Sequence, residues 1–163
     1  MERKEGYWNE HPFSVDQFIG TFPNAISDEL CSEFVTWFNK ITEQGLTMSS
    51  MENPTLSGVD KRDEVIDVPS GLPQDCFPNR LCQSLWQNIS ECYKIYHNEY
   101  SIDRPMTSYA FCALRVQVSG GFHAWHHENQ WRDPYRILAW HLTIEAPKRG
   151  GETEFLYQSM RVN

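Results

Sequence analysis

The chain has 163 residues, 40% of them hydrophobic and 13% aromatic, and a formal net charge of −8 at pH 7 from 14 Lys and Arg against 22 Asp and Glu. That is material for one domain, too rich in core-forming side chains to stay disordered. It is also too acidic, without clustered cations, to take a phosphate backbone as its primary partner.

The charged opening Met1–Glu5 leads into no apolar run, and the most apolar stretch, Tyr135 to Ile144, carries Arg136 and His141 and is far shorter than a membrane span. The expectation is a soluble cytoplasmic protein with neither nucleic acid nor membrane as partner. Cys31, Cys76, Cys82, Cys92 and Cys112 are odd in number and form no CxxC pair, which favours reduced thiols over a disulfide framework or a Cys-rich zinc site.

Ser27 is a suitable N-cap, with Asp28 and Glu29 set favourably against the helix dipole. Leu30, Phe34, Trp37, Phe38 and Ile41 then recur at helical spacing, giving one apolar face until Gly45 ends the pattern. Residues 43–77 are polar and carry Pro54, Pro69 and Pro73, a long excursion with at most one short strand at Glu64 to Val68. After Pro78, the series Leu81, Leu85, Ile89, Tyr93 and Tyr96 predicts a second amphipathic helix, ended by the polar run His97 to Pro105.

From Thr107 onward the residues become β-branched, aromatic and alternating, predicting strands at Tyr109 to Val118, Phe122 to His126, Arg136 to Ile144 and Glu152 to Tyr157. Ser119-Gly120-Gly121, Asp133-Pro134 and Pro147 to Gly151 separate them. Helices first and strands afterwards indicate an α+β fold over a single domain, residues 1–163. Residues 1–105 form a mainly helical support, and residues 106–163 supply the strands of an antiparallel sheet or jelly-roll-like barrel.

The densest group of metal-capable side chains is His123-Ala124-Trp125-His126-His127-Glu128. In an extended segment His126 and Glu128 project to one side and His127 to the other, so one imidazole and one carboxylate can take adjacent positions on a metal. A distant third ligand would complete the facial two-His-one-carboxylate set, which leaves positions open for a bidentate co-substrate and dioxygen. The competing reading is a polar loop of surface histidines rimmed by Trp125 and Trp131. Further on, the paired glycines of Gly150-Gly151-Glu152-Thr153-Glu154-Phe155 allow a tight turn with positive φ, after which Thr153 and Phe155 share one face and Glu152 and Glu154 the other. Arg136 either orients the site or forms a structural ion pair.

The order His126-His127-Glu128, then Tyr135-Arg136-Ile137-Leu138, then Gly150 to Phe155 resembles the Fe(II)- and 2-oxoglutarate-dependent dioxygenases of the prolyl-hydroxylase-like branch, in the phage and marine bacterial form that uses Glu as the carboxylate. Phe22-Pro23-Asn24-Ala25-Ile26-Ser27 is similar to that branch's opening. The resemblance implies N-terminal helices packed on a double-stranded β-helix, with Fe(II) held by His126 and Glu128. It also implies 2-oxoglutarate and O₂ as co-substrates, Arg136 and Thr143 on the 2-oxoglutarate side, and hydroxylation of a peptide or small molecule.

The chain also departs from the family. There the second metal His, and a basic residue for the far carboxylate of 2-oxoglutarate, follow the GGxTxF strand, whereas this chain ends at Asn163, eight residues after Phe155. Phe122 stands where the family carries a Tyr, and Thr143 replaces an aromatic. His141, on the face of Ile137, Ala139 and Thr143, and His123, three residues before His126, are the local substitutes for the distal His. Three readings follow: such an oxygenase or its N-terminal portion, a non-catalytic jelly-roll-derived binding or structural protein, or a metal-binding module without oxygen chemistry. An unpaired edge after the GGxTxF strand favours a homodimer or an aggregation-prone monomer.

Overall fold

The computed structural model describes residues 3–8, 10–49, 61–69, 77–106, 110–122, 125–129 and 135–162. The first helix, α1, spans Asp28–Glu43. The Ser27 hydroxyl accepts the Leu30 N–H at 3.3 Å, satisfying a donor that the first turn leaves without an intrahelical partner. Backbone and Ser27 hydroxyl hydrogen bonds hold the Glu29 carboxyl below its ordinary pKa. At the other end Gly45, at φ 68°, donates to the Thr42 carbonyl at 2.9 Å and Leu46 donates to that of Ile41 at 3.1 Å, a Schellman ending. Phe34, Trp37 and Phe38 form the buried stripe, as the spacing predicts.

The second helix, α2, spans Phe77–Glu99. Its buried face runs through Leu81, Leu85, Ile89 and Cys92, so Cys92 takes the place expected of Tyr93. Tyr93 instead lies between Trp86 and His97, with ring centroids at 5.9 and 5.6 Å. The helix closes as α1 does: Ile102 donates to the His97 carbonyl at 3.1 Å and Ser101 to that of Asn98 at 3.3 Å, with Ser101 at φ 48° where a glycine is usual.

Three strands precede α1: β1 (Lys4–Trp8), β2 (His11–Asp16) and β3 (Ile19–Thr21), an antiparallel meander with Gly6 opposite Phe13 and Ser14 opposite Thr21. Phe13 and Val15 point inward from β2 and, with Cys92 of α2, make a core flanked by Phe22, Ala25, Ile95, Tyr96 and Tyr100. Phe13 stacks on Phe22 at 5.5 Å. The β2–β3 turn places two non-glycine residues, Gln17 and Phe18, at φ 46° and 66°. Two tyrosines of the α2 end hold it: the Phe18 N–H donates to the Tyr100 hydroxyl at 2.7 Å, and the Tyr96 hydroxyl donates to the Phe18 carbonyl at 2.8 Å. Gly20 is needed beside them, because a Cβ there would sit 2.9 Å from the Tyr96 ring and 2.8 Å from that of Phe22.

The remaining strands are short. β4 (Met48–Ser49), β6 (Glu64–Pro69) and β7 (Ala110–Arg115) form one sheet with β6 central, and β5 (Lys61–Arg62) pairs antiparallel with β8 (Gly121–Phe122). β6 matches the strand expected at Glu64 to Val68, but the polar excursion, expected to hold at most one strand, also contains β4 and β5, each two residues long and set by its pairing partner rather than by a local pattern. Arg115 of β7 ties three elements together, its Nε reaching the Glu64 carboxylate at 2.7 Å and its second amino group the Thr42 hydroxyl at 2.8 Å. β9 (Thr153–Phe155) and β10 (Met160–Val162) make an antiparallel hairpin, with Arg161 and Glu154 facing each other and ion-paired at 2.9 Å. Gly150 and Gly151 enter β9 at φ 80° and 85°, as the paired glycines predict.

Helices and small antiparallel sheets make this an α+β fold. By its internal contacts the chain divides into two compact units, Met1–Lys40 with Asp67–Cys112 and Ile41–Ile66 with Ala113–Asn163. All four expected strands differ in extent, that at Glu152 to Tyr157 being shortened to β9. β7 ends at Arg115 rather than Val118, and Arg136 to Ile144 carries no ladder among the described residues. Burial in that segment alternates except at Trp140: Arg136, Leu138, Leu142 and Ile144 are half-buried, while Ile137, Ala139, Trp140, His141 and Thr143 are exposed. The period-2 pattern is thus interrupted at its centre, and a strand is in any case defined by its pairing partner, which a single segment's periodicity does not supply. Of the strand expected at Phe122 to His126, residues 123–124 lie outside the described ones, and Trp125 and His126 are not in a strand. No helix among the described residues is long and apolar enough to cross a membrane.

Candidate metal centre

The segment after β8 places His126 and Glu128 on the same side, as their spacing predicts. Nε2 of His126 lies 3.5 Å from Oε1 of Glu128, longer than an ordinary N–H···O hydrogen bond. Two ligands of one metal at about 2.1 Å stand ~3 Å apart at a right angle and ~3.4 Å apart at a tetrahedral angle, so this separation fits a shared cation with only small adjustment. His127, between them, is exposed.

The other carboxylate oxygen is already engaged. Arg136 donates through a terminal guanidinium nitrogen to Oε2 of Glu128 at 2.6 Å, a short charge-assisted contact. The three side chains are each roughly one-third exposed, from 33% for Arg136 to 40% for Glu128, so the cluster is open to solvent on one side. Eight residues separate Glu128 from Arg136, and a sequence pattern alone does not pair them.

Other expected participants are placed differently. His141 and Thr143 are exposed on the segment without a ladder. Among the described residues no third His, Cys, Asp or Glu joins His126 and Glu128 in a set able to hold a metal. His123 and Trp131 lie outside the described residues, and Asn129 is exposed. Cys31, Cys82, Cys92 and Cys112 are not joined in disulfides. The Cys92 thiol is pushed up to about 11 by burial, which makes it a poor nucleophile or ligand at neutral pH.

A depression of about 420 Å³ that no sequence pattern signals lies at the N-terminal sheet, lined by Arg3, Glu5, Tyr7, Phe13, Ser14 and Thr21 among others. Arg3 and Glu5 neutralise each other there at 2.9 Å, and Ser14 and Thr21 share a hydrogen bond at 2.7 Å, which leaves no concentrated charge for a ligand. The chain matches no protein-family model, no curated protein and no solved structure.

Proposed function

We propose that the chain carries the metal-binding segment of an Fe(II)- and 2-oxoglutarate-dependent oxygenase of the prolyl-hydroxylase-like kind, built on a double-stranded β-helix. The observation that carries this reading is the 3.5 Å approach of His126 Nε2 to Glu128 Oε1, with Oε2 fixed by Arg136. One neutral imidazole and one carboxylate are the donor types that suit Fe(II), and they leave positions for a chelating co-substrate. Bound there, the metal with 2-oxoglutarate and O₂ supplies oxidative decarboxylation coupled to hydroxylation of a substrate C–H bond, on a peptide or a small molecule. His126 and Glu128 would hold it, and Arg136 would keep the carboxylate in place.

Anaerobic titration of the protein with Fe(II) and 2-oxoglutarate tests this through the visible metal-to-ligand charge-transfer band. The band is expected only with both components and is lost in His126→Ala. No band in the unmodified chain overturns the reading.

One observation favours the second reading, a non-catalytic jelly-roll-derived binding or structural protein. Tyr135, Ile137, Trp140, Leu156 and Tyr157 all leave large apolar surface exposed. Exposed apolar side chains of this size favour association, and a homodimer follows from the proposal. Sedimentation velocity showing a monomer across a concentration series argues against it.

A further inference from the structure

Resting on the metal reading above, we propose that Arg136 is a positioning residue, which grips Oε2 of Glu128 so that Oε1 alone is presented to a divalent cation beside His126. The assignment of oxygens is what suggests it. His126 approaches Oε1 at 3.5 Å and Arg136 binds Oε2 at 2.6 Å, so the guanidinium and a cation need not compete for one atom. A free glutamate on a half-exposed segment rotates about its terminal torsion and can offer either oxygen or both. With one oxygen held, the carboxylate has a single orientation and binds through one atom. Ligating carboxylates that are themselves hydrogen-bonded typically gain about 10–100-fold in metal affinity from that support.

The opposing effect is repulsion between guanidinium and cation. Arg136 is 33% exposed and Glu128 40%, so water reaches the cluster and screens that repulsion, whereas the directional hold on the carboxylate persists. The two effects predict opposite signs, which makes the assignment decidable. A positioning Arg136 means that its loss weakens metal binding. A competing Arg136 means that its loss strengthens it.

The experiment is titration of the full chain with Co(II) alone, in the unmodified protein and in Arg136→Met, Arg136→Lys and His126→Ala, reading affinity and the visible d–d spectrum together. The expected result is a fall in Co(II) affinity of about tenfold or more in Arg136→Met, with a spectral change marking altered coordination number, and partial recovery in Arg136→Lys. A purely structural ion pair would lower thermal stability and leave both readouts of the folded variant unchanged, and that result overturns the assignment. Tighter binding in Arg136→Met overturns it as well. If Arg136→Met does not fold, Arg136→Lys decides alone: affinity and spectrum identical to the unmodified protein overturn the assignment, and weaker binding with a shifted spectrum supports it. Failure of the underlying reading is separate and visible, because the unmodified protein then binds no Co(II), or binds it equally well in His126→Ala.

Discussion

In the unit formed by Met1–Lys40 and Asp67–Cys112, Phe13, Val15, Phe34, Trp37, Leu81 and Leu85 are each 8% exposed or less. In the unit formed by Ile41–Ile66 and Ala113–Asn163, the buried hydrophobic residues among those described are Val65 and Ala113, while Val118, Tyr135 and Tyr157 are more than nine-tenths exposed. The two units are therefore held by different forces. The first has an apolar core clamped by aromatic stacking and tyrosine hydrogen bonds. The second relies more on polar ties: Arg115 to Glu64 and Thr42, Arg136 to Glu128, and Arg161 to Glu154. Half-exposed ion pairs are individually worth little, so the unit that carries the candidate metal residues should open locally at lower cost than the other.

The largest expected effect tests that contrast directly. Phe13→Ala removes a ring that is 8% exposed and stacked on Phe22, and should cost about 3–5 kcal/mol. Ile137→Ala truncates a side chain that is 71% exposed and should change stability by less than about 0.5 kcal/mol. Equilibrium denaturation of the two variants gives the comparison, and equal costs would break it.

A middle-sized effect concerns the turn at Gln17 and Phe18. Tyr96→Phe and Tyr100→Phe each remove one hydroxyl that bonds the Phe18 backbone, at 2.8 and 2.7 Å, and each should cost about 1 kcal/mol by denaturant midpoint. Their combined cost should depart from the sum, because both hold the backbone of one residue, Phe18, through its two adjacent peptide groups. Strict additivity would show that the turn stands without them.

That turn also shows why part of the fold was hidden in the sequence. Two-residue hairpins are read from Asn-Gly or Asp-Gly, and this one is built on Gln17-Phe18 with support from residues some 80 positions away. The helices were legible because their signals are local: Ser27 before the first, Gly45 after it, and apolar spacing through both. The pairing of Arg136 to Ile144 was not legible, since alternation is local and a ladder is not. At the candidate site, the shared side of His126 and Glu128 followed from their spacing. Arg136 forms an ion pair with Glu128, which both roles left open for it require, and the Co(II) titration separates them.

A pH effect sharpens the picture of the first unit. The Cys92 thiol, ordinarily near 9.0, is raised to about 11 by burial, and Cys31 and Tyr96 are raised by the same cause. Above pH 9 the unfolded chain releases a Cys92 proton that the folded chain keeps, so the unfolded state binds fewer protons and stability falls as pH rises. Stability should be flat for this group below about pH 9 and decline from there to about pH 11. Cys92→Ala should flatten that slope. In alkylation at pH 8, exposed Cys112 should react first and buried Cys92 only after unfolding.

The smallest effect lies at the end of α2. Ser101 occupies the left-handed position at φ 48° that closes the helix, where a Cβ crowds the following carbonyl and glycine does not. Its N–H and that of Ile102 cap the carbonyls of Asn98 and His97, so the conformation is enforced and the strain is carried by the serine. Glycine there relieves the strain but adds freedom to the unfolded chain, which offsets part of the gain. The net expectation for Ser101→Gly is stabilisation of about 0.5–1 kcal/mol, read as a raised denaturant midpoint at unchanged m-value. Because α2 supplies Cys92 and Tyr96 to the same core, and Tyr100 joins them directly after the helix, a tighter helix end should also slow amide exchange in β2 and β3. Stabilisation without that slowing would mean that the helix end and the N-terminal sheet open independently, and that the first unit is less cooperative than its shared core implies.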